Sequence, residues 1–351
     1  ISAALLDDAR LYVMDEPTAA LTREESERLF RVLREIRASG SSVLYVSHRL
    51  DEIMALCDRA TVLRDGRAID SGRMAEITHD DLVAMMIGRK VEEAYPLAKS
   101  ATSAEIVLSV RDLAANGIGP VDLDISAGEI LGIAGLSGAG QAELVKAIFG
   151  DLRPTAGTMT LLGAPYRPGS PAAAWARGVA YVPRERRAQG LVMRRPVFEN
   201  ITLAHLRRQS LGGVWLTPRR EQAFARSTGE TMQLKSAGPG QPVFELSGGN
   251  QQKVVLGKAV AGAPKLLILE EPTRGVDIGA RFDIYSILRD LAAQGTAILL
   301  VSSDLPELLG MSDRIAILRD GRIDAPVAAA GLGEDDLINL CYGRSTGRKT
   351  T

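Results

Sequence analysis

The sequence predicts a parallel α/β fold in two units of unequal length, and three observations carry that expectation. Its 351 residues are enough chain for about two domains. Short apolar runs alternate with amphipathic stretches of helical period, the pattern of a parallel sheet flanked by helices. One segment also occurs twice: a shift of 255 residues aligns 14–67 with 269–322 without a gap, and 19 of the 54 positions are identical. Glu16-Pro17-Thr18 returns as Glu271-Pro272-Thr273, Val46-Ser47 as Val301-Ser302, and Leu63-Arg64-Asp65-Gly66-Arg67 as Leu318-Arg319-Asp320-Gly321-Arg322. A repeat of that length means two copies of one structural unit.

Composition narrows the function classes. With 46% apolar and 24% charged residues the chain is an ordinary globular one, and disorder is excluded. Forty-two basic against 43 acidic residues leave a net charge of −1, so any anion site is local and not a property of the whole surface. Apolar runs such as Leu266–Leu269 are strand-sized, far short of the ~20 residues of a spanning helix. Cys57 and Cys341, the only cysteines, are too few for a disulfide framework or a cysteine zinc site and suit a reducing, cytoplasmic compartment. Ile1 begins without a signal-peptide layout, and the first residues read like a helix tail entering a strand. The chain is therefore expected to lack the front of its first unit.

In chain order, residues 1–91 form that partial first unit. Leu11–Met14 is a strand. Thr22 and Glu25 have capping-box spacing, and Leu29, Phe30, Leu33 and Ile36 share one helical face that should cover a sheet. Val43–Val46 is a second strand, followed by a short helix and an Asp-Gly hairpin. Residues 92–104, polar and containing Pro96, read as a linker. Residues 105–345 form a longer second unit and 346–351 a tail. In the second unit the strand-like Ile130–Ala134 runs into Gly135-Leu136-Ser137-Gly138-Ala139-Gly140-Gln141-Ala142 and then a helix. Strand, glycine-rich turn and helix make a phosphate cradle, since a backbone wrapping an oligophosphate needs left-handed conformations and N–H groups free of side chains. Gly135 and Gly140 keep the required spacing. Gln141, however, stands where a Lys would neutralise phosphate, and Ala142 where a Ser or Thr would hold Mg²⁺. A tight turn without ligand is the competing reading of this loop.

Leu246-Ser247-Gly248-Gly249-Asn250-Gln251-Gln252-Lys253 decides between them. Ser247 and the glycines open a helix, so its positive end faces outward toward an anion. Here the chain resembles the ATP-binding cassette (ABC) ATPases, with their LSGG signature. That resemblance implies a P-loop NTPase fold with a mixed sheet core and a helical subdomain, complete in the second unit. It further implies ATP and Mg²⁺ as cofactors, with Gly135, Ser137, Gly138, Gly140, Gln141, Ala142, Ser247, Gly248, Gly249 and Gln251 on the nucleotide side. Leu11–Glu16 resembles the family's acidic strand, which gives Asp15 the Mg²⁺ and Glu16 the attacking water, while His48 matches the histidine that contacts the γ-phosphate. In the second copy Glu270 takes the place of the Mg²⁺ ligand and Ser303 that of the histidine, and only Glu271 is retained. Four substitutions on one site are expected to leave it hydrolysing ATP poorly or not at all.

The ending Glu271–Asp277 and Tyr181-Val182-Pro183 with Gln189-Gly190-Leu191 narrow the resemblance to the fused ATPase subunits of bacterial ribose, galactose and xylose-type importers. It implies membrane permease subunits as partners and, through them, a sugar-binding protein, at the cytoplasmic face of the inner membrane. ABC units work as head-to-tail pairs, so the competent site is expected to join Asp15, Glu16 and His48 to Ser247–Gly249. At most weak nucleotide binding and little turnover are expected unless self-association or a supplied N-terminal segment completes it. Arg184 departs from the acidic residue the family has after Pro183. Between Arg177 and Arg226 eleven Arg against three Glu give a local +8, read either as a permease-facing or headgroup-facing surface or as a solvated one; without interleaved aromatics, nucleic acid is not expected. His79 and His205 are expected at the surface, and Trp175 and Trp215 in packing. The rival functions are a nucleoside importer ATPase, a non-hydrolytic nucleotide-binding or assembly module, and a soluble tandem ABC protein acting on ribosomes or DNA.

Overall fold

The computed structural model describes residues 9–18, 21–47, 49–64, 66–87, 95, 103–210 and 215–344. Two compact units divide the chain, one of residues 1–94 with 277–279 and one of residues 95–276 with 280–351.

The first unit holds β1 (Leu11–Asp15), α1 (Arg23–Ala38), β2 (Ser42–Val46), α2 (Leu50–Leu56), β3 (Arg59–Arg64), β4 (Arg67–Arg73) and α3 (His79–Ile87). The capping box forms as its spacing predicts: Glu25 N–H donates to Thr22 Oγ1 at 3.3 Å, and Thr22 N–H to the Glu25 carboxylate at 2.8 Å. From there α1 presents Leu29 and Leu33 to Tyr12 and Met14, and all four are buried. Phe30 turns aside to meet Tyr45 edge-on at 6.4 Å. β1 and β2 run parallel in the register Leu11↔Ser42 to Asp15↔Val46, while β3 and β4 form an antiparallel hairpin.

Among the described residues only one face of the β1–β2 pair is covered. Leu11, Val13, Leu44 and Val46 on the other are 45–62% exposed. A groove of about 940 Å³, lined among others by Val43, Tyr45, Ile53, Thr61, Val62 and Leu82, lies along β2 and β3. Among the described strands none pairs with β2 except β1, and none with β3 except β4.

The second unit shows what the same pattern becomes when fully packed. Its elements are β5 (Ile106–Ala115), β6 (Ile118–Ser126), β7 (Ile130–Ala134), α4 (Gln141–Phe149), β8 (Ala156–Leu161), β9 (Ala164–Pro165), α5 (Pro171–Ala176), β10 (Val179–Val182), α6 (Val197–Thr202), α7 (Leu206–Gln209), α8 (Pro218–Thr231), α9 (Gly248–Val260), β11 (Leu266–Glu270), α10 (Ile278–Ala293), β12 (Ala297–Val301), α11 (Leu305–Met311), β13 (Arg314–Arg319), β14 (Arg322–Ile323), β15 (Val327–Ala328) and α12 (Glu334–Cys341). The main sheet has the order β10-β11-β12-β7-β13-β14 with β15 beside β13, parallel from β10 to β13 and antiparallel at β14 and β15. Such a mixed core fits the expected fold class. β11 and β12, the copies of β1 and β2, are buried along nearly their whole length, because a parallel sheet covered on both faces needs unbroken apolar strands. β7 lies between β12 and β13 and pairs with both. A second, antiparallel sheet, β6-β5-β8-β9, packs with it into one core.

Of residues 92–104, expected to be a linker, the described ones are 95, 103 and 104. Tyr95 is anchored, its ring stacked on Tyr285 at 5.4 Å and edge-on to Phe282 at 6.2 Å. It lies so close to α11 that a Cβ on Gly310 would stand 2.2 Å from its ring. Only a glycine fits beneath it; the first copy has Ala55 at this position.

Candidate functional site

The glycine-rich loop leaves β7 at its carboxyl end, where parallel sheets place ligands. Gly138 and Gly140 have φ of +82° and +114°, the left-handed region that favours glycine. Gly135 is glycine for a different reason, since a Cβ there would lie 2.3 Å from the Leu318 carbonyl oxygen. Ser137 and Gly138 are exposed, and Ala142 is half-buried in the first turn of α4. Gln141 folds back on the loop: its Nε2 donates to Leu136 O at 3.2 Å. A Lys at this position would present its ammonium to phosphate, whereas the Gln141 amide braces the turn.

At the end of β11, Glu270 Oε2 accepts the Tyr181 hydroxyl at 2.6 Å from the neighbouring strand β10. Burial, and then that bond, push the phenol well above its ordinary range, so Tyr181 stays protonated as donor. Glu271 has φ +49°, a costly backbone for a side-chain-bearing residue. It is held there by its N–H to Val301 O at 2.8 Å and by its carboxylate, which accepts the Ser303 N–H at 2.9 Å.

The acidic end of β1 repeats this geometry. Glu16 has φ +46°, with its N–H on Val46 O at 2.9 Å. Asp15 is exposed one residue earlier. His48 lies outside the described residues. Sequence reasoning named both glutamates but not their left-handed backbone, for which their identical Glu-Pro-Thr frames were the available signal.

A buried glutamate beneath each strand pair was missed as well. Thr18 Oγ1 donates to the Glu52 carboxylate at 2.8 and 2.9 Å, Tyr45 at 2.7 Å and Ser47 at 3.3 Å. In the second copy Thr273 donates to Glu307 at 2.7 Å, and Ser302 also bonds it. The tyrosine beside it changes origin: Leu300 replaces Tyr45, while Tyr285 replaces Phe30. Burial raises the Glu307 carboxyl above its ordinary 4.5, against the pull of Ser302 and Thr273. A folded-state pKa above the unfolded one means the fold prefers the proton, so stability falls as pH rises from 4.5 through the folded value and then levels off. Glu307→Gln, which keeps an acceptor for Thr273, is expected to flatten that slope and to be more stable than the wild type at pH 7. Urea unfolding at pH 5 and pH 7 checks this, and a mutant with the wild-type slope contradicts it.

The Ser-Gly-Gly segment forms the start of α9. Ser247 is its N-cap and is exposed, with Oγ accepting Asn250 N–H at 3.4 Å and Asn250 Nδ2 at 3.0 Å. Gly248 is half-buried and Gly249 buried. The expectation that Gln251 contacts nucleotide is corrected here. Its side chain is 1% exposed, and Nε2 donates to Leu246 O at 3.0 Å and Val243 O at 3.3 Å, so it is a strut behind the signature. Lys253 likewise points inward, to Asp283 at 2.8 Å and Gln233 O at 3.0 Å.

The model of the ABC transporter family matches residues 118–274. The ribose import ATP-binding protein RbsA 2 of Streptomyces avermitilis is 44% identical over 346 residues, covering 98% of this chain and 68% of that protein. This chain belongs to the ABC transporter ATP-binding proteins. The ribose import ATP-binding protein RbsA of Jannaschia sp. is 42% identical over 343 residues, covering 98% of the chain and 66% of the relative; the chain thus spans about two thirds of the length of these relatives. Among solved structures, a nucleotide-free ATP-binding cassette from an ABC transporter aligns with TM-score 0.55 at 20% identity, over 68% of this chain and 95% of its own. The dimeric post-hydrolysis state of an ATP-binding cassette bound to ADP and Pi aligns with TM-score 0.56 at 20% identity, over 64% of this chain and all of that one. At such identities the alignments speak for the ABC fold alone.

Two further expectations for this ABC protein are corrected. His205, expected at the surface, is buried: Nε2 donates to Lys258 O at 2.8 Å, and the ring meets Trp175 and Phe224 edge-on. Trp215, expected in packing, is 74% exposed, whereas Trp175 does pack on the core. His79 is exposed as expected. No helix among the described residues is long and apolar enough to cross a membrane.

Proposed function

We propose that this chain is the energy-coupling ATP-binding subunit of an importer for a monosaccharide, and that its two units divide the work. The observation that carries the proposal is identity above 40% over 98% of the chain with ribose import ATP-binding proteins, combined with the unequal chemistry of the two copies. The first unit supplies the hydrolytic groups: Asp15 as an exposed oxygen ligand suited to Mg²⁺, Glu16 to polarise water, and His48 toward the γ-phosphate. The second supplies Ser247, Gly248 and Gly249 as an anion grip at a helix end. Its own glycine loop, Gly135 to Ala142, holds nucleotide without turning it over.

The residues of the second unit do not fit Mg²⁺-ATP hydrolysis. Gln141 is committed to Leu136 O, Ala142 has no side-chain oxygen, and Glu270 is tied to Tyr181. Glu271 is therefore a positioning acid on Ser303 N–H and not a base. When bound at Asp15, Mg²⁺ would neutralise phosphate charge; Asp15 and Glu16 stand one residue apart, and the left-handed turn at Glu16 lets both stay at the strand's end. Membrane permease subunits are the partners, reached from the cytoplasmic face. The names of the relatives favour a sugar over a nucleoside and transport over action on nucleic acid.

Deleting the gene in the cells that make the protein is expected to abolish uptake of one labelled monosaccharide and to spare nucleoside uptake. Unchanged uptake of ribose, galactose and xylose together, or a selective loss of nucleoside uptake, would sink the reading.

A further inference from the structure

We propose that Arg186 is a positioning residue that presets the phosphate-facing start of α9, locking Gly248 against the loop that follows β11. This rests on the reading of Ser247–Gly249 as a phosphate grip and adds the group that shapes it. Arg186 lies in the segment after β10, four residues beyond Val182. Its Nη1 donates to Arg274 O at 2.6 Å and its Nη2 to Gly275 O at 3.0 Å. The two acceptors are successive carbonyls, and they can face one guanidinium together because Gly275 has φ +63°, a conformation in which glycine is at ease. The planar fork of Arg, with its parallel donors, bridges such a pair; a Lys ammonium cannot hold both in that geometry.

The third side of the clasp is the signature itself. A Cβ on Gly248 would lie 2.9 Å from Arg186 Nη2 and 3.0 Å from Gly275 O. Gly248 is thus glycine because a guanidinium and a carbonyl occupy the space a side chain would take. One residue thereby joins three segments: the π-helical turn Arg186–Gly190 after β10, the loop after β11, and the first turn of α9.

The charge of Arg186 adds to that of its neighbours Arg187 and Arg274, with Glu185 the acid that offsets it. The adjacent acid, Glu185, is drawn off by Arg274, whose Nη1 reaches its Oε1 at 2.5 Å. Arg186 Nε is buried with no hydrogen-bond partner, and Nη1 and Nη2 meet neutral carbonyls. A cation held beside a helix N-terminus reinforces the field that attracts an anion there. A residue serving only as a strut would need the two hydrogen bonds but not the charge.

The test uses the whole chain labelled with ¹⁵N-glycine, reading the amide signals of Gly248 and Gly249 while ATP is titrated into the millimolar range. The wild type is expected to shift in a saturable way. Arg186→Ala is expected to weaken the apparent affinity at these two amides about tenfold, and Arg186→Lys, which keeps charge but loses the fork, by about threefold. Gly248→Ala, which displaces the guanidinium, should weaken the response read at Gly249 to the same degree as Arg186→Ala. If Arg186→Ala does not fold, Arg186→Lys decides alone. Wild-type affinity in the folded Arg186 variants overturns the proposal and leaves the grip standing; no shift in the wild type overturns the grip, and the proposal with it.

Discussion

Glu16→Gln is expected to lower ATP turnover by about 10²- to 10³-fold, while Glu271→Gln leaves it within about twofold. The two glutamates share a backbone conformation and an N–H bond to the facing strand, so local geometry does not separate them. Their surroundings do. Glu271 lies in a unit whose loop amide is bonded to Leu136 O and whose metal-side acid is held by Tyr181. Glu16 follows the exposed Asp15. Phosphate release by the chain, alone and with a polypeptide that supplies a phosphate loop for the first unit, is the measurement. Equal losses in the two variants, or a brisk rate untouched by Glu16→Gln, would refute the division between the copies.

Gly140→Val is expected to destabilise the second unit by about 4 kcal/mol, through two effects that add. At φ +114° a β-branched side chain is strained by about 1–2 kcal/mol. Its Cβ would also stand 2.3 Å from Ile118 Cγ2, an overpacking worth about 1–3 kcal/mol. Gly138→Ala separates the effects, since φ is +82° but no atom lies within 4 Å of the new Cβ; it should cost about 1 kcal/mol. Urea denaturation of both variants gives the comparison, and equal costs would place the whole effect in the backbone.

The fold was largely legible because its signals are local or repeated. Thr22 and Glu25 announce the start of α1 within four residues, and alternation with helices marks β11 and β12 without knowledge of their neighbours. The 255-residue shift carries each assignment from one copy to the other. Side chains whose partners are remote in sequence were not legible. Gln251 escaped for a different reason: its partners are the carbonyls of the turn just ahead of α9, near in sequence, but a polar residue of the signature gives no sign that it turns inward. His205 is buried by Trp175 and Phe224, and Glu270 is held by Tyr181, 89 residues away. Trp215 shows the converse error, since a large apolar ring is expected inside and no local pattern says that this one is outside. The clasp at Arg186 escaped for the same reason: 88 residues separate it from the first carbonyl it holds.

The half-covered β1–β2 pair has a consequence for how the molecule behaves in concentrated solution. Its apolar outer face and the unpaired rim of β2 among the described strands form a template on which extended chains can stack, the hazard that sheets ordinarily suppress with charge, proline or closure. The first copy is therefore where clumping should nucleate, whereas β11 and β12, the same strands in the second copy, are buried and paired along both edges.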